Sequence, residues 1–146
     1  MYGLRREGVD LLLQARGGTL AEVFQNAAAG LSAVLVDPAT VSGGGLRDKL
    51  RLEASDLNAL ADAWVGALLY QFAANRFVLA QAGPATIKKA GARWTLEASL
   101  DGELLDPGRH AVLRRLLPGD PRAVEATEGP TLSVRFPGAE APPQKG

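Results

Sequence analysis

Five side chains combine the residue types and spacing that acid–base chemistry or metal ligation requires: Glu7, Asp10, Glu103, Asp106 and His110. Three of them lie together in "GELLDPGRH", residues 102 to 110. A histidine beside carboxylates suits an acid–base catalyst or a metal ligand. The same residues also fit a structural role, in which Asp106 caps a turn and His110 bonds back to it, and the short spacing favours that role. Asp10 lies in the middle of an expected strand in "RREGVDLLLQARGGTLAEVFQNAAAGL", residues 5 to 31, with Glu7 three residues before it. On a regular strand, residues three apart face opposite ways. A lone carboxylate also holds a hard cation poorly, because calcium takes six to eight oxygens and magnesium a near-octahedral set. Spacing alone therefore makes Asp10 an outward, solvated residue. A bulge at Gly8 would bring Glu7 round to it, but nothing in the sequence demands one.

Composition removes several chemistries. The 146-residue chain has no cysteine, which excludes disulfides, thiolate catalysis and cysteine-ligated zinc. One histidine excludes a histidine-rich metal centre and leaves nothing for a conventional triad beyond His110 itself. Sixteen basic residues balance sixteen acidic ones, so there is no net pull toward nucleic acid or an anionic membrane. The first ten residues lack the apolar core of a signal peptide, and no run approaches the roughly 20 apolar residues that cross a bilayer. A soluble, cytoplasmic protein is expected. "SGGGL" at 42 to 46 does not run from a strand into a helix with a following Lys and Ser or Thr. It reads as a turn, not a phosphate loop.

The elements that position these residues follow from periodicity. Val9, Leu11, Leu13 and Ala15 alternate with Asp10, Gln14 and Arg16, a half-buried strand whose outer face Leu12 partly covers. Gly17-Gly18 turns the chain, and Thr19 with Glu22 forms a capping box. Leu20, Val23, Phe24, Ala27, Leu31, Val34 and Leu35 then share one helical face, up to a stop near Asp37-Pro38. Leu50, Leu52 and Ala54 mark a second strand. Ser55 is the expected cap of a second helix, with Asp56 at its positive end and a stripe of Leu57, Leu60, Ala61, Trp64, Leu68 and Phe72 ending near Asn75. Trp64 and Phe72 sit in that stripe, so core packing is expected of them in preference to an RNA-stacking platform.

Further strands are expected at residues 77 to 80, 85 to 89, 93 to 100 and 132 to 136. Asp106 with Pro107 is a plausible start for a short helix carrying Val112, Leu113, Leu116 and Leu117. Arg114-Arg115 reads as a solvated pair. Strands returning by tight turns around two long helices predict an α+β fold, a mostly antiparallel sheet packed on two helices. One domain over residues 1–137 is expected, with a disordered, Pro-rich tail at 138–146.

The ordered set "ARGGTLAEVFQNAAAGLSAVLVDPATV", "LRLEASDLNALADAWVGALLYQF", "FVLAQA" and "LDGELLDPGRH" resembles archease, the small accessory protein of the RNA ligase that splices tRNA. The likeness covers roughly residues 2 to 110 and implies an archease-like two-layer sandwich. It implies a non-enzymatic role: promoting guanylylation and turnover of the ligase, with GTP used by that ligase and not by this chain. In the family an early Asp-His-Thr-Ala-Asp motif ends on a metal ligand. Here the five positions are Arg6, Glu7, Gly8, Val9 and Asp10, so the resemblance places Asp10 at the ligand and implies a divalent cation such as calcium, with Glu7 a second candidate. The family's last strand ends on an aspartate and an apolar residue that complete the site; here the strand ends Val134, Arg135, Phe136. The family's Val-Lys-Ala-x-Thr-Tyr segment falls near residues 116 to 121, which read Leu-Leu-Pro-Gly-Asp-Pro.

Three readings follow. The first is a ligase activator with its metal site rebuilt around Asp10. The second is a metal-independent, chaperone-like protein of the same fold that binds a protein partner. The third is an enzyme built on His110 with Asp106 or Glu103. The family resemblance favours the first, with no direct sequence-specific contact to nucleic acid.

Overall fold

The segment that opens with Asp10 is a strand in the computed structural model, which describes residues 2–8, 10–42, 45–113, 123–126 and 131–136. That strand, β2 (Asp10–Arg16), is the second arm of a hairpin whose first arm is β1 (Tyr2–Glu7). β1 carries no periodic signal, because its residues are mostly exposed on both faces. The ladder to β2 holds it, pairing Tyr2 with Ala15 at one end and Glu7 with Asp10 at the other. Gly8 makes the turn with φ +62°, a left-handed conformation that glycine adopts without a Cβ penalty. Leu11, Leu13 and Ala15 point into the core as their alternation predicts; Leu12 on the other face is buried too. Val9 lies outside the described residues.

Helix α1 (Leu20–Leu35) starts where the capping box places it. Thr19 Oγ1 accepts the Glu22 amide at 3.1 Å. The reciprocal bond shifts by one residue, since the Glu22 carboxylate takes the Gly18 amide at 2.8 Å. The helix then runs back along β2, with Gly30 directly over Leu13 and Tyr2, where a Cβ would collide with both side chains. A 3-10 turn at Pro38–Thr40 follows, capped by Asp37. β3 (Leu46–Ala54) presents Leu50, Leu52 and Ala54 inward. Helix α2 (Leu57–Asn75) is capped by Asp56, whose Oδ1 accepts the Ala59 amide at 2.7 Å. The expected cap, Ser55, is one residue too early. Trp64 is fully buried, its ring nitrogen donating to the Phe24 carbonyl at 2.9 Å, while Phe72 packs at the core's margin.

Two expected strands, 77 to 80 and 85 to 89, are one: β4 (Phe77–Ala90) continues through Gly83-Pro84 with two register shifts. Proline removes a ladder donor and is tolerated because β4 lies at a sheet edge. β5 (Arg93–Leu104) runs four residues beyond the expected end, which places Glu103 on a strand. Gly102 allows this, since the Val78 carbonyl and the Phe77 ring fill the space a Cβ would need. β6 (Ala123–Ala126) and β7 (Thr131–Phe136) complete the strands.

The α+β class holds, but the antiparallel strands divide into two sheets, ordered β1-β2-β7-β6 and β3-β5-β4. Both sheets and both helices contribute to one core containing Leu13, Phe24, Leu31, Trp64, Leu96 and Leu132. Burial of such large side chains, worth about 1.5–3 kcal/mol each, outweighs the weak propensity of an isolated helix. Instead of a helix after Asp106, Pro107–Arg109 form a turn closed by the Arg109 and His110 amides on the Asp106 carbonyl. Val112 then bridges to Val36, and the Leu113 amide bonds the Leu35 carbonyl. Gly43, Gly44, Arg114-Arg115, Leu116-Leu117 and the 116 to 121 segment lie outside the described residues, as does the tail.

Candidate functional site

The structure separates the five candidate residues into two clusters. The first gathers Glu103, Asp106 and His110 where β5 leaves its sheet. His110 has a side chain with 0% exposure. Its Nδ1 accepts the Asp106 amide at 2.9 Å, which leaves the ring proton on Nε2, 2.5 Å from Glu103 Oε2. Glu103 is itself 7% exposed and receives three more donors: the Ser42 amide at 2.9 Å on Oε1, and Arg109 at 3.4 Å on Oε1 and 2.8 Å on Oε2. Asp106 acts through its backbone and also accepts the Gly108 amide at 3.0 Å on Oδ1. A buried carboxylate is costly unless its lone pairs are met by charged or amide donors, and here they are. Both histidine nitrogens are engaged, so neither faces a substrate. The turn expected of Asp106 and His110 is present, with the bond back to Asp106 running through its amide. This cluster ties the β5 exit to the segment after α1, because Ser42 lies beyond the 3-10 turn and the Ala111 amide reaches Thr40 Oγ1 at 3.1 Å.

The second cluster brings together two residues expected to point apart. Because β1 and β2 form a hairpin, Glu7 and Asp10 are directly opposite cross-strand partners and share the outer face of the sheet. No bulge is needed. Arg135 on β7 lies opposite Leu12 in the same ladder, and its guanidinium reaches along the strand to both acids. Arg135 Nη2 lies 2.6 Å from Glu7 Oε1 and Nη1 lies 3.1 Å from Asp10 Oδ2. Arg5 approaches Glu7 Oε2 at 2.7 Å from its own strand. Asp10, 25% exposed, is therefore ion-paired and not merely solvated. The Arg135 hydrogen bond holds the Glu7 carboxyl below the usual carboxylate range against partial desolvation, with the charges of Arg5 and Arg135 adding to it. The hydrogen bonds that Arg135 donates to Glu7 and Asp10 in turn push it above its ordinary value.

Sequence reasoning gave Arg135 no role. The signal was available in Gly8, which marks the hairpin turn that turns Glu7 and Asp10 into neighbours.

These residues do not fit a divalent cation. A hard cation needs a shell of oxygens, and here both oxygens of Glu7 and Oδ2 of Asp10 lie against guanidinium nitrogens. Among the described residues no group of three or more His, Asp or Glu side chains is placed to hold a metal ion. Nor is any described helix long and apolar enough to cross a membrane.

Comparison with known proteins agrees with this architecture. The model of the archease protein family matches residues 2–116. The chain is 33% identical over 109 residues to the archease of Methanosarcina acetivorans, covering 75% of this chain and 74% of that one. It is equally 33% identical over 109 residues to the archease of Pyrobaculum neutrophilum, covering 75% and 73%. The solution structure of Methanobacterium thermoautotrophicum protein 1598 superposes with a TM-score of 0.69 over 92% of this chain and 95% of that one; at 18% identity it speaks to the fold alone. On the extent of the family match and the identity to these relatives, this chain belongs to the archease family.

Proposed function

We propose that this protein acts in the cytoplasm as an accessory factor of the RNA ligase that splices tRNA, promoting guanylylation of the ligase and its repeated turnover. The observation that carries this reading is the continuous family match over residues 2–116, which spans both helices and the Glu103–His110 cluster. GTP is used by the ligase, and this chain contributes a surface. Two features support an assisting role over catalysis. His110 has both ring nitrogens engaged inside the protein. The equal counts of acidic and basic residues also give no general attraction to RNA.

The test is RNA joining by the ligase of the same cell, with GTP and with substrate in excess over enzyme. Joining that continues past one turnover only when this protein is present supports the reading. Joining unchanged by folded protein overturns it. A second reading, a protein-binding member of the fold that no longer activates a ligase, is favoured by one observation: Arg135 engages both Glu7 and Asp10, the acids that would have to hold a cation.

A further inference from the structure

We infer that Arg135 is a built-in replacement for a divalent cation, and that this protein keeps the end of the β1–β2 hairpin in its working shape without binding metal there. The inference rests on the family reading only for the identity of the replaced group. The geometry stands on its own.

Two carboxylates brought face to face across a hairpin repel one another unless a cation lies between them. A calcium ion would fill that role with two charges and a shell of oxygens. The guanidinium fills it with one charge and a planar fork of donors, one aimed at each carboxylate. Arg135 meets Asp10 at 3.1 Å and Glu7 at 2.6 Å, and Arg5 adds a second positive charge on Glu7 at 2.7 Å. Two acids and two arginines leave no net charge to neutralise, so a divalent cation entering there would have to displace a covalently attached competitor. The strand that carries Arg135 pairs with β2 along its whole length, so the guanidinium is held beside both acids by the ladder itself. The ion pair also joins distant parts of the chain, since Glu7 and Arg135 are 128 residues apart.

The test uses the isolated full chain and the metal alone. Thermal unfolding is followed in about 1 mM CaCl2, the weak end of protein calcium sites, and in NaCl of matched ionic strength. The wild-type midpoint should be the same in both. Arg135→Ala should unfold at a lower temperature in NaCl and regain most of the loss in CaCl2. Arg135→Asp should bind calcium measurably by titration calorimetry where the wild type shows no heat. Should either variant fail to fold, Arg135→Lys keeps the charge; it should fold, lie between wild type and Arg135→Ala in NaCl, and ignore calcium. Calcium uptake by the wild type that is lost in Asp10→Ala overturns the inference. So does an Arg135→Ala midpoint that calcium leaves unmoved. No ligase enters these measurements, so they succeed or fail independently of ligase activation.

Discussion

Glu103 and Glu7 are each gripped by an arginine, at 2.8 and 2.6 Å, yet the two clusters differ in almost everything else. Glu103 is 7% exposed and draws donors from a histidine, an arginine and a backbone amide. Glu7 is 35% exposed and draws on two arginines. In the first cluster Glu103 and the His110 ring are buried, so removing the histidine leaves a buried acceptor short of a donor, while Arg109 caps the cluster from a half-exposed position. In the second, water can replace what is lost and salt can screen what remains. Contact distance therefore does not rank these pairs; burial does. The buried cluster fixes the path of the chain. The exposed one neutralises the two acids at one end of a hairpin.

Single substitutions separate the two clusters. Glu103→Ala strips the shared acceptor from His110, Arg109 and Ser42 and should destabilise by about 3–5 kcal/mol in urea unfolding, as loss of a buried ion partner does. A loss no larger than that from Glu7→Ala would erase the distinction. His110→Ala leaves the Asp106 amide without its acceptor and should cost about 1–3 kcal/mol. Arg109→Ala, at a half-exposed side chain, should cost less than about 1 kcal/mol. Arg135→Ala should cost less than Glu103→Ala, and the gap between it and the wild type should narrow as NaCl is raised, while the Glu103→Ala gap should not.

The smallest expected effect is one of pH. The Glu7 carboxyl titrates below its unfolded value, so the folded state releases that proton more readily than the unfolded chain. Its contribution is complete above the unfolded value, roughly 4.3, and is lost as pH falls through the lower folded value. Glu7→Gln should therefore be less stable than the wild type near neutrality and should converge on it in acid. A difference that grew in acid would contradict the ion pairing.

Much of this structure was legible in the sequence wherever one face of an element is buried. Leu11, Leu13 and Ala15 placed β2, and the stripes from Leu20 and from Leu57 placed both helices. β1 was not legible, because its residues are exposed and only pairing holds it. That omission carried a cost at the site. With β1 unseen, Glu7 and Asp10 were three residues apart on one strand; with it they are opposite partners. Arg135 lies 125 residues from Asp10, and neither periodicity nor spacing connects positions so distant. The Glu103–His110 cluster was nearer to legible, because its members are seven residues apart and the turn at Pro107 closes that distance. Its burial was not, since it depends on β5 running on to Leu104 beneath the close approach at Gly102.

The measurement that bears most directly on the account is guanylylation of the ligase itself, with labelled GTP and without RNA. The ligase of the same cell is incubated with a substoichiometric amount of this protein, and covalent nucleotide on each chain is counted. An accessory role predicts that labelled ligase accumulates faster and further when this protein is present, and that this protein carries no label. Ligase guanylylation unchanged by the folded chain, or nucleotide bound covalently to the chain itself, would contradict it.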